Sequence, residues 1–121
     1  MTYLSKAKEL YSMIEQGKMM DAFEKFYHEE VVMHEATGEI REGKDTNRKF
    51  EQEWMASIQE MHGGGVGSIA SDEENGVTTV ESWIDVSFKN GQRYKMEEVA
   101  VQQWKDGQII HERFYYNPPS M

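Results

Sequence analysis

Residues 77–116 read VTTVESWIDVSFKNGQRYKMEEVAVQQWKDGQIIHERFYY, and this stretch decides the fold. Apolar and polar residues alternate along it with the period of a β-strand. The dipeptides Asn90-Gly91 and Asp106-Gly107 interrupt the alternation and are typical of tight hairpin turns. The stretch therefore predicts three long antiparallel strands, which are Val77 to Phe88, Arg93 to Trp104 and Gln108 to Tyr116.

The first half of the chain is predicted to be mostly helical, because its apolar residues recur every three or four positions. A first helix ends at Gly17, and a second, shorter one follows from Met19 to Tyr27. A third is predicted to begin with Asp45 as its N-cap and to end at the glycines 63–65. The apolar positions of the first and third helices are Leu4, Ala7, Tyr11 and Ile14, and Phe50, Trp54, Ile58 and Met61.

Two shorter segments complete the pattern. Residues 30–36, around the pair Val31-Val32, are predicted to form the first strand, and Gly38 and Gly43 then bracket a loop or a small hairpin. The glycines within residues 63–67 lack the lysine and hydroxyl residue of a phosphate-binding loop. They are interpreted instead as a bulge, a bend or a place of close backbone approach.

Helices first and a run of antiparallel strands afterwards is typical of an α+β domain. We expect three N-terminal helices packed in a curved, mixed and mostly antiparallel sheet, which leaves a cone with an open mouth. At 121 residues the chain is long enough for one such domain with one core. Residues 1–117 are assigned to that domain and residues 118–121 to a C-terminal tail.

The composition excludes several classes of function. The chain has no cysteine, which excludes disulfides, thiol nucleophiles and thiolate metal sites. A formal net charge of −9 repels phosphate backbones, so nucleic acid is not an expected partner. No apolar run approaches the ~18 residues of a membrane span, and the first residues lack a secretory signal. We therefore expect a cytoplasmic protein with no membrane partner.

Four motifs, in this order and spacing, resemble the SnoaL-like group of the NTF2-like superfamily over nearly the whole chain. They are FYHEEVVMHE at 26–35, EGK at 42–44, HGG at 62–64 and WKDGQIIHERFYY at 104–116. The resemblance implies a cone fold, a homodimer formed through the sheet, and a pocket for a small molecule. It does not imply one activity, because this fold carries isomerases, cyclases, dehydratases, hydrolases and non-enzymatic binders.

Ketosteroid isomerase has the same kind of fold and needs a carboxylate base and an oxyanion hole of a tyrosine plus a protonated aspartic acid. The resemblance matches the base to Glu35 and, within about one residue, the tyrosine to Tyr11. The position of the second oxyanion donor matches Ala100, which carries no acid. This departure argues against steroid-type isomerisation.

Strand alternation predicts which side chains face the cone. If Glu35 faces inward, so do Val31 and Met33, and a three-residue turn at 105–107 would place Ala100 opposite Glu112. The predicted cone faces of the last two strands are Met96, Glu98, Ala100, Gln102 and Trp104, and Ile110, Glu112, Phe114 and Tyr116. The candidate catalytic residues are Glu35, Glu98, Glu112, Tyr11 and His62. The candidate ligand-binding residues are Trp54, Gln102, Trp104, Phe114 and Tyr116.

The residues also admit structural interpretations. Glu35 could face solvent, Glu98 and Glu112 could pair with basic residues on the outer sheet face, and His62 could be a helix C-cap. A metal site is not expected, because His34 and Glu35 are strand neighbours that point to opposite faces, as do His111 and Glu112. No cofactor is expected either.

Two classes of function therefore remain open. The first is a cofactor-free acid–base isomerase, cyclase or lyase with a glutamate base, acting on a small molecule held in an apolar cone. Several carboxylates in such a cone would raise one another's pKa, which suits proton transfer. The second is a non-catalytic ligand-binding or dimerisation domain.

Overall fold

Six strands form one sheet, in the order β2-β1-β6-β5-β4-β3, in the computed structural model, which describes residues 2–118. Every pair of neighbouring strands is antiparallel except β1 and β6, which are parallel. Three helices precede the meander of β3 to β6, so the expected α+β architecture with a mixed, mostly antiparallel sheet is confirmed. The elements are α1 (Tyr3–Glu15), α2 (Met19–Phe26), β1 (Tyr27–His34), β2 (Ile40–Glu42), α3 (Lys44–Ala56), β3 (Ile58–Asp72), β4 (Val77–Phe88), β5 (Arg93–Lys105) and β6 (Gln108–Tyr115).

The helices occupy one face of the sheet and form the core with it. Helix α1 contacts β3 and β4, whereas α3 contacts β1 and β2 at the other end of the strand order. Thr2 caps α1, since its hydroxyl oxygen accepts a hydrogen bond from the Ser5 N–H at 3.0 Å. The core between these elements consists of Ala7, Leu10, Ala22, Phe23, Phe26, Tyr27, Val31, Met33, Trp104 and Ile109. No described helix is long and apolar enough to span a membrane.

The third helix is shorter than its apolar pattern predicts. It ends at Ala56, and after Ser57 the 15 residues Ile58–Asp72 form β3, the longest strand, so Ile58 and Met61 are strand residues. Pairing with β4 along the whole of β3 outweighs the helical spacing of those two side chains. The N-cap is Gly43, at φ 92°, and not Asp45, whose carboxylate pairs with Arg48 in the first turn.

The first strand begins three residues earlier than predicted. Tyr27 follows α2 directly and already pairs with β6, and the strand ends at His34. Glu35 therefore lies just beyond the strand, where its N–H donates to the Glu39 carbonyl at 2.9 Å. The small hairpin predicted for this region is present as β1 and β2.

The turn between β5 and β6 contains two residues, so the predicted three-residue turn is wrong. Asp106 and Gly107 have φ values of 53° and 82°, and a bulge follows Gln103. These two changes place Gln102 opposite Glu112, and Phe114 opposite Ala100. They also bury Ile109 in the core in place of Ile110, which is only half-buried. The predicted tail, residues 118–121, lies outside the described residues apart from Pro118.

The glycines at 63–65 lie in the middle of β3, against the indole of Trp83 on β4. A Cβ at Gly65 would lie 2.7 Å from Trp83 Nε1, and a Cβ at Gly63 would lie 3.3 Å from the indole ring. The interpretation of these glycines as a place of close approach is therefore confirmed. The neighbour is the Trp83 side chain at Gly63 and Gly65, and the Trp83 backbone carbonyl at Gly64. Glycine is required there for space, since neither residue has a positive φ.

Gly65→Ala is expected to lower the free energy of unfolding by about 1–3 kcal/mol, because the new methyl group displaces the Trp83 indole. Urea denaturation of the single variant and of Gly65→Ala in a Trp83→Ala background measures this cost. The account requires a smaller cost in the second background, since the clashing ring is gone. An equal cost in both backgrounds would contradict it.

Candidate active site

A cavity of about 640 Å³ lies between the helices and the sheet. Its volume is in the range of sites that bind small molecules. Helix α1 contributes Leu10, Tyr11 and Ile14 to its wall, and α3 contributes Phe50, Glu51 and Trp54. Helix α2 contributes Met19 and Phe23, and the strands and the residues that follow β1 and β6 contribute most of the remainder, including the exposed side chain of Met61. The cavity is thus mostly apolar, with a small set of ionisable side chains.

Five glutamates line this cavity: the exposed Glu15, and four that are more buried, Glu35, Glu51, Glu98 and Glu112. The strand alternation predicted that Glu35, Glu98 and Glu112 face inward together, and all three do. Sequence reasoning missed Glu51. It precedes Trp54 by three residues on α3, so the helical period already placed it on the same face. The outward-facing alternative for these glutamates does not hold.

Glu112 is the most deeply buried of the four, at 1% exposure. Tyr27 Oη donates to one of its oxygens and Gln102 Nε2 to the other, both at 2.7 Å. Burial raises the pKa of Glu112 to about 7, although these two hydrogen bonds favour its charged form. Tyr27 was not among the predicted site residues. Its place in an apolar helical run indicated core packing and gave no sign of this hydrogen bond.

A chain of buried hydrogen bonds fixes the orientation of the Gln102 amide. Trp104 Nε1 donates to Thr78 Oγ1 at 2.8 Å, and that hydroxyl donates to Gln102 Oε1 at 2.7 Å. An indole N–H can only donate, so the direction of the chain is determined. The Gln102 amide nitrogen therefore faces Glu112 and also donates to Tyr11 Oη at 3.4 Å.

Two predicted wall residues do not line the cavity. Trp104 packs against Phe26 and Tyr3 in the core, because the short turn and the bulge shift the end of β5. Gln102 is fully buried, hydrogen-bonded to Glu112, and is not among the residues that line the cavity. Neither side chain touches the cavity space, and both act on it only through hydrogen bonds.

Two side chains bind the Glu35 carboxylate just beyond the C-terminal end of β1. Arg41 Nη2 lies 2.6 Å from one carboxylate oxygen, and Tyr116 Oη donates to the other at 2.8 Å. The Arg41 guanidinium is itself fixed, because Nε donates to Asn47 and the group lies 3.5 Å from the Phe50 ring centroid. Sequence reasoning missed Arg41, whose position in the three-residue strand β2 gave no signal of burial.

Glu51 and Glu98 are the uncommitted carboxylates. Within residues 2–118 neither has a hydrogen-bond or ion-pair partner, yet both line the cavity. Burial raises the pKa of each to about 7. The charges of Glu112 and Glu35 raise the pKa of Glu98 further, whereas Arg41 partly offsets the shift at Glu51. Both groups therefore lie near the midpoint of their titration at neutral pH.

The other predicted site residues lie around these glutamates. Tyr11, Trp54, Phe114 and Tyr116 form aromatic walls of the cavity. His62 lies at the rim on β3, where Nε2 is 2.7 Å from Ser87 Oγ, so it is not a helix C-cap. Among the described residues, no group of three or more histidine and acidic side chains could hold a metal ion.

The sequence model of one protein family, described as a SnoaL-like domain, matches residues 1–116. That match covers almost the whole chain, including every element that forms the cavity. No curated protein matches the chain significantly. The chain belongs to the SnoaL-like family.

Solved structures agree with this assignment. A "putative SnoaL-like polyketide cyclase [carbohydrate phosphatase]" from Mesorhizobium loti is 31% identical over 96% of this chain and 100% of its own, with a TM-score of 0.86. A "putative isomerase" from Bacillus subtilis is 19% identical over 98% and 91% of the two chains, with a TM-score of 0.81. An NTF2-like protein of unknown function from Burkholderia pseudomallei is 14% identical over 97% and 92%, with a TM-score of 0.76. The last two, at under 25% identity, show likeness of fold alone.

Glu98→Gln is expected to stabilise the protein at about pH 8 by on the order of 1–3 kcal/mol, and by much less at about pH 5. The raised pKa means that the folded protein binds this proton more tightly than the unfolded chain. Stability is therefore lost as the pH rises from the usual glutamate pKa of 4.5 through about 7. The substitution removes this loss.

Urea denaturation at both pH values measures the difference, with Glu97→Gln as the matched control. Glu97 is the exposed neighbour of Glu98 and pairs with Lys95 outside the cavity. A stabilisation by Glu98→Gln that is the same at both pH values would contradict the burial of an ionisable Glu98.

Proposed function

We propose that this protein catalyses proton transfer at a carbon next to a carbonyl group of a small, largely apolar molecule, with a glutamate base and no cofactor. The observation that carries the proposal is the convergence of four glutamates in one apolar cavity, two of them without partners. A carboxyl group whose pKa lies near the working pH is the best general base for this chemistry. Isomerisation and ring closure both begin with this step.

Glu98 is the general base in this proposal. The carboxylate oxygens of Glu35 and Glu112 are all engaged by hydrogen bonds or an ion pair, so a substrate would have to compete with these partners for them. Glu98 has no such partner among the described residues and faces the cavity from β5. Glu98 therefore replaces Glu35 and Glu112, the bases that the sequence favoured.

Tyr11 is the group that polarises the carbonyl oxygen. Its hydroxyl oxygen already accepts a hydrogen bond from the Gln102 amide, so its own proton is free to be donated. Burial and the charges of Glu112 and Glu98 raise its pKa well above the usual value, which keeps that proton in place at neutral pH. Tyr11 thus supplies one oxyanion donor. Ala100 occupies the position of the second donor and has no side-chain group that can donate a hydrogen bond.

The step balances within the cavity. A Glu98 carboxylate oxygen takes the α-proton, and the electron pair of the broken C–H bond forms the C=C bond of an enolate. The enolate oxygen accepts the hydrogen bond from Tyr11. Where a C=C bond neighbours the enolate, return of the proton from Glu98 to the far carbon of the resulting dienolate gives an isomer. Attack of the enolate carbon on a second carbonyl of the same molecule closes a ring, and the alkoxide formed from that carbonyl takes the proton back from Glu98.

Exchange of deuterium from solvent into ring-bearing β-keto esters such as ethyl benzoylacetate tests the step, followed by NMR. Glu98→Gln is expected to lower the protein-dependent exchange rate about 10²–10⁴-fold, because the base is removed. Glu97→Gln should leave the rate unchanged. Exchange that survives in Glu98→Gln would assign the base to another residue.

The pH dependence of exchange in the wild type gives an independent check. The rate is expected to rise with pH and to level off above about 7, because only ionised Glu98 accepts a proton. Tyr11 keeps its proton over the same range, so no fall should accompany the rise. A rate that is independent of pH between about 5 and 8 would contradict a Glu98 base.

A ligand-binding protein without catalysis is the second candidate. It is favoured by one observation, namely that two of the four carboxylates, Glu35 and Glu112, are fully engaged within the protein. The same experiment separates the two functions. Binding of a β-keto ester without any protein-dependent exchange supports the second candidate and excludes the first for that class of compound.

A further inference from the structure

The charge balance of the cavity defines a ligand class. Glu35, Glu51, Glu98 and Glu112 line it, together with Glu15 near the mouth. Among the described residues, no lysine or arginine lines it. Arg41 does not line it, pairs with Glu35, and contacts Asn47 and the Phe50 ring, although its charge also acts on Glu51. Negative charge in the cavity therefore exceeds what the protein itself compensates.

An apolar wall does not solvate such an excess. Buried carboxylates without partners either take up protons or attract a cation. A ligand that carries a carboxylate or phosphate would add repulsion, and a neutral ligand would leave the charges as they are. A cationic ligand is attracted by the carboxylates, and this attraction is strong in the low-dielectric cavity. Of the three kinds of ligand, the cationic one therefore binds with the most favourable free energy.

Helix α3 offers a place for the cationic group. Glu51 and Trp54 stand one turn apart, and both line the cavity. Glu51 has no partner in residues 2–118, and the Trp54 ring contacts Phe88 edge-on at 6.3 Å between centroids. A carboxylate beside an aromatic ring is the combination that binds an organic ammonium ion, through an ion pair and a cation–π contact.

We infer that the cavity binds a small organic molecule bearing a protonated amine, which Glu51 and Trp54 receive. The inference takes the cavity of the proposed function as the site and names the class of its substrate, an amine that also carries a ketone. Glu51 binds the ammonium group, and Glu98 remains free to act on the carbon next to the carbonyl. The two uncommitted glutamates thus have different tasks.

Three probes of one size test the inference: benzylammonium, benzyl alcohol and benzoate, which carry positive, zero and negative charge. Calorimetric or NMR titration at about pH 7.5 is expected to give the affinity order ammonium, alcohol, benzoate, with a ratio of at least about 10 between the first two. The ratio is the informative quantity, because the phenyl ring contributes equally to all three.

Glu51→Gln is expected to reduce the ammonium-to-alcohol ratio about tenfold or more, because it removes the charge and keeps the shape. Glu53→Gln, an exposed position on the same helix, should leave the ratio unchanged. Alcohol binding that matches ammonium binding, a ratio unaffected by Glu51→Gln, or no detectable benzylammonium binding up to about 20 mM would each overturn the inference.

Binding is measured without turnover, so its outcome is separate from that of the exchange experiment. A protein that exchanges no β-keto ester and still prefers benzylammonium supports the inference and contradicts only the catalytic proposal. A protein that exchanges β-keto esters and shows no preference for the cation contradicts the inference alone.

Discussion

The pairing of Gln102 with Glu112 across β5 and β6 is the constraint on which the site depends. It places an amide directly opposite a buried carboxylate, and the two groups meet at 2.7 Å. The Thr78 hydroxyl on β4 and the Tyr11 hydroxyl on α1 form hydrogen bonds with the same amide. The Gln102 side chain on β5 therefore links β4, β6 and α1. A shift of one residue in register would turn Glu112 to the outer face of the sheet.

That constraint separates the carboxylates into two kinds. Glu35 and Glu112 are held by donors from the protein, and they fix the geometry of the cavity wall. Glu51 and Glu98 have no hydrogen-bond or ion-pair partner in the described residues, so their carboxyl groups remain available to a ligand in the cavity. A buried charge without a partner is costly for stability, so the ionised forms of these two groups destabilise the fold.

The fold could be predicted from the sequence because its signals are long and regular. The alternation from Val77 to Tyr116 and the two hairpin dipeptides specify three of the four strands of the meander, β4 to β6. The end of α3 could not be predicted in this way. Ile58 and Met61 have the spacing of a helical face, and only the long pairing of β3 with β4 overrides it.

The site could be predicted only in part, for a similar reason. Alternation placed Glu98 and Glu112 on the inner face, since their strands continue unbroken through those positions. The two-residue turn and the bulge at Gln103 make Gln102, and not Ala100, the cross-strand neighbour of Glu112. No local sequence pattern predicts a bulge. The contact between Arg41 and Glu35 joins a three-residue strand to the residue that follows β1, and it arises only when the hairpin is folded.

The central claim is that the cavity holds an ionisable, uncommitted Glu98, and NMR titration of the glutamate carboxyl carbons tests it most directly. The account predicts a carboxyl signal that titrates with a pKa of about 7 in the wild type and is missing in Glu98→Gln. A wild-type protein in which every glutamate titrates below about pH 5 would contradict it.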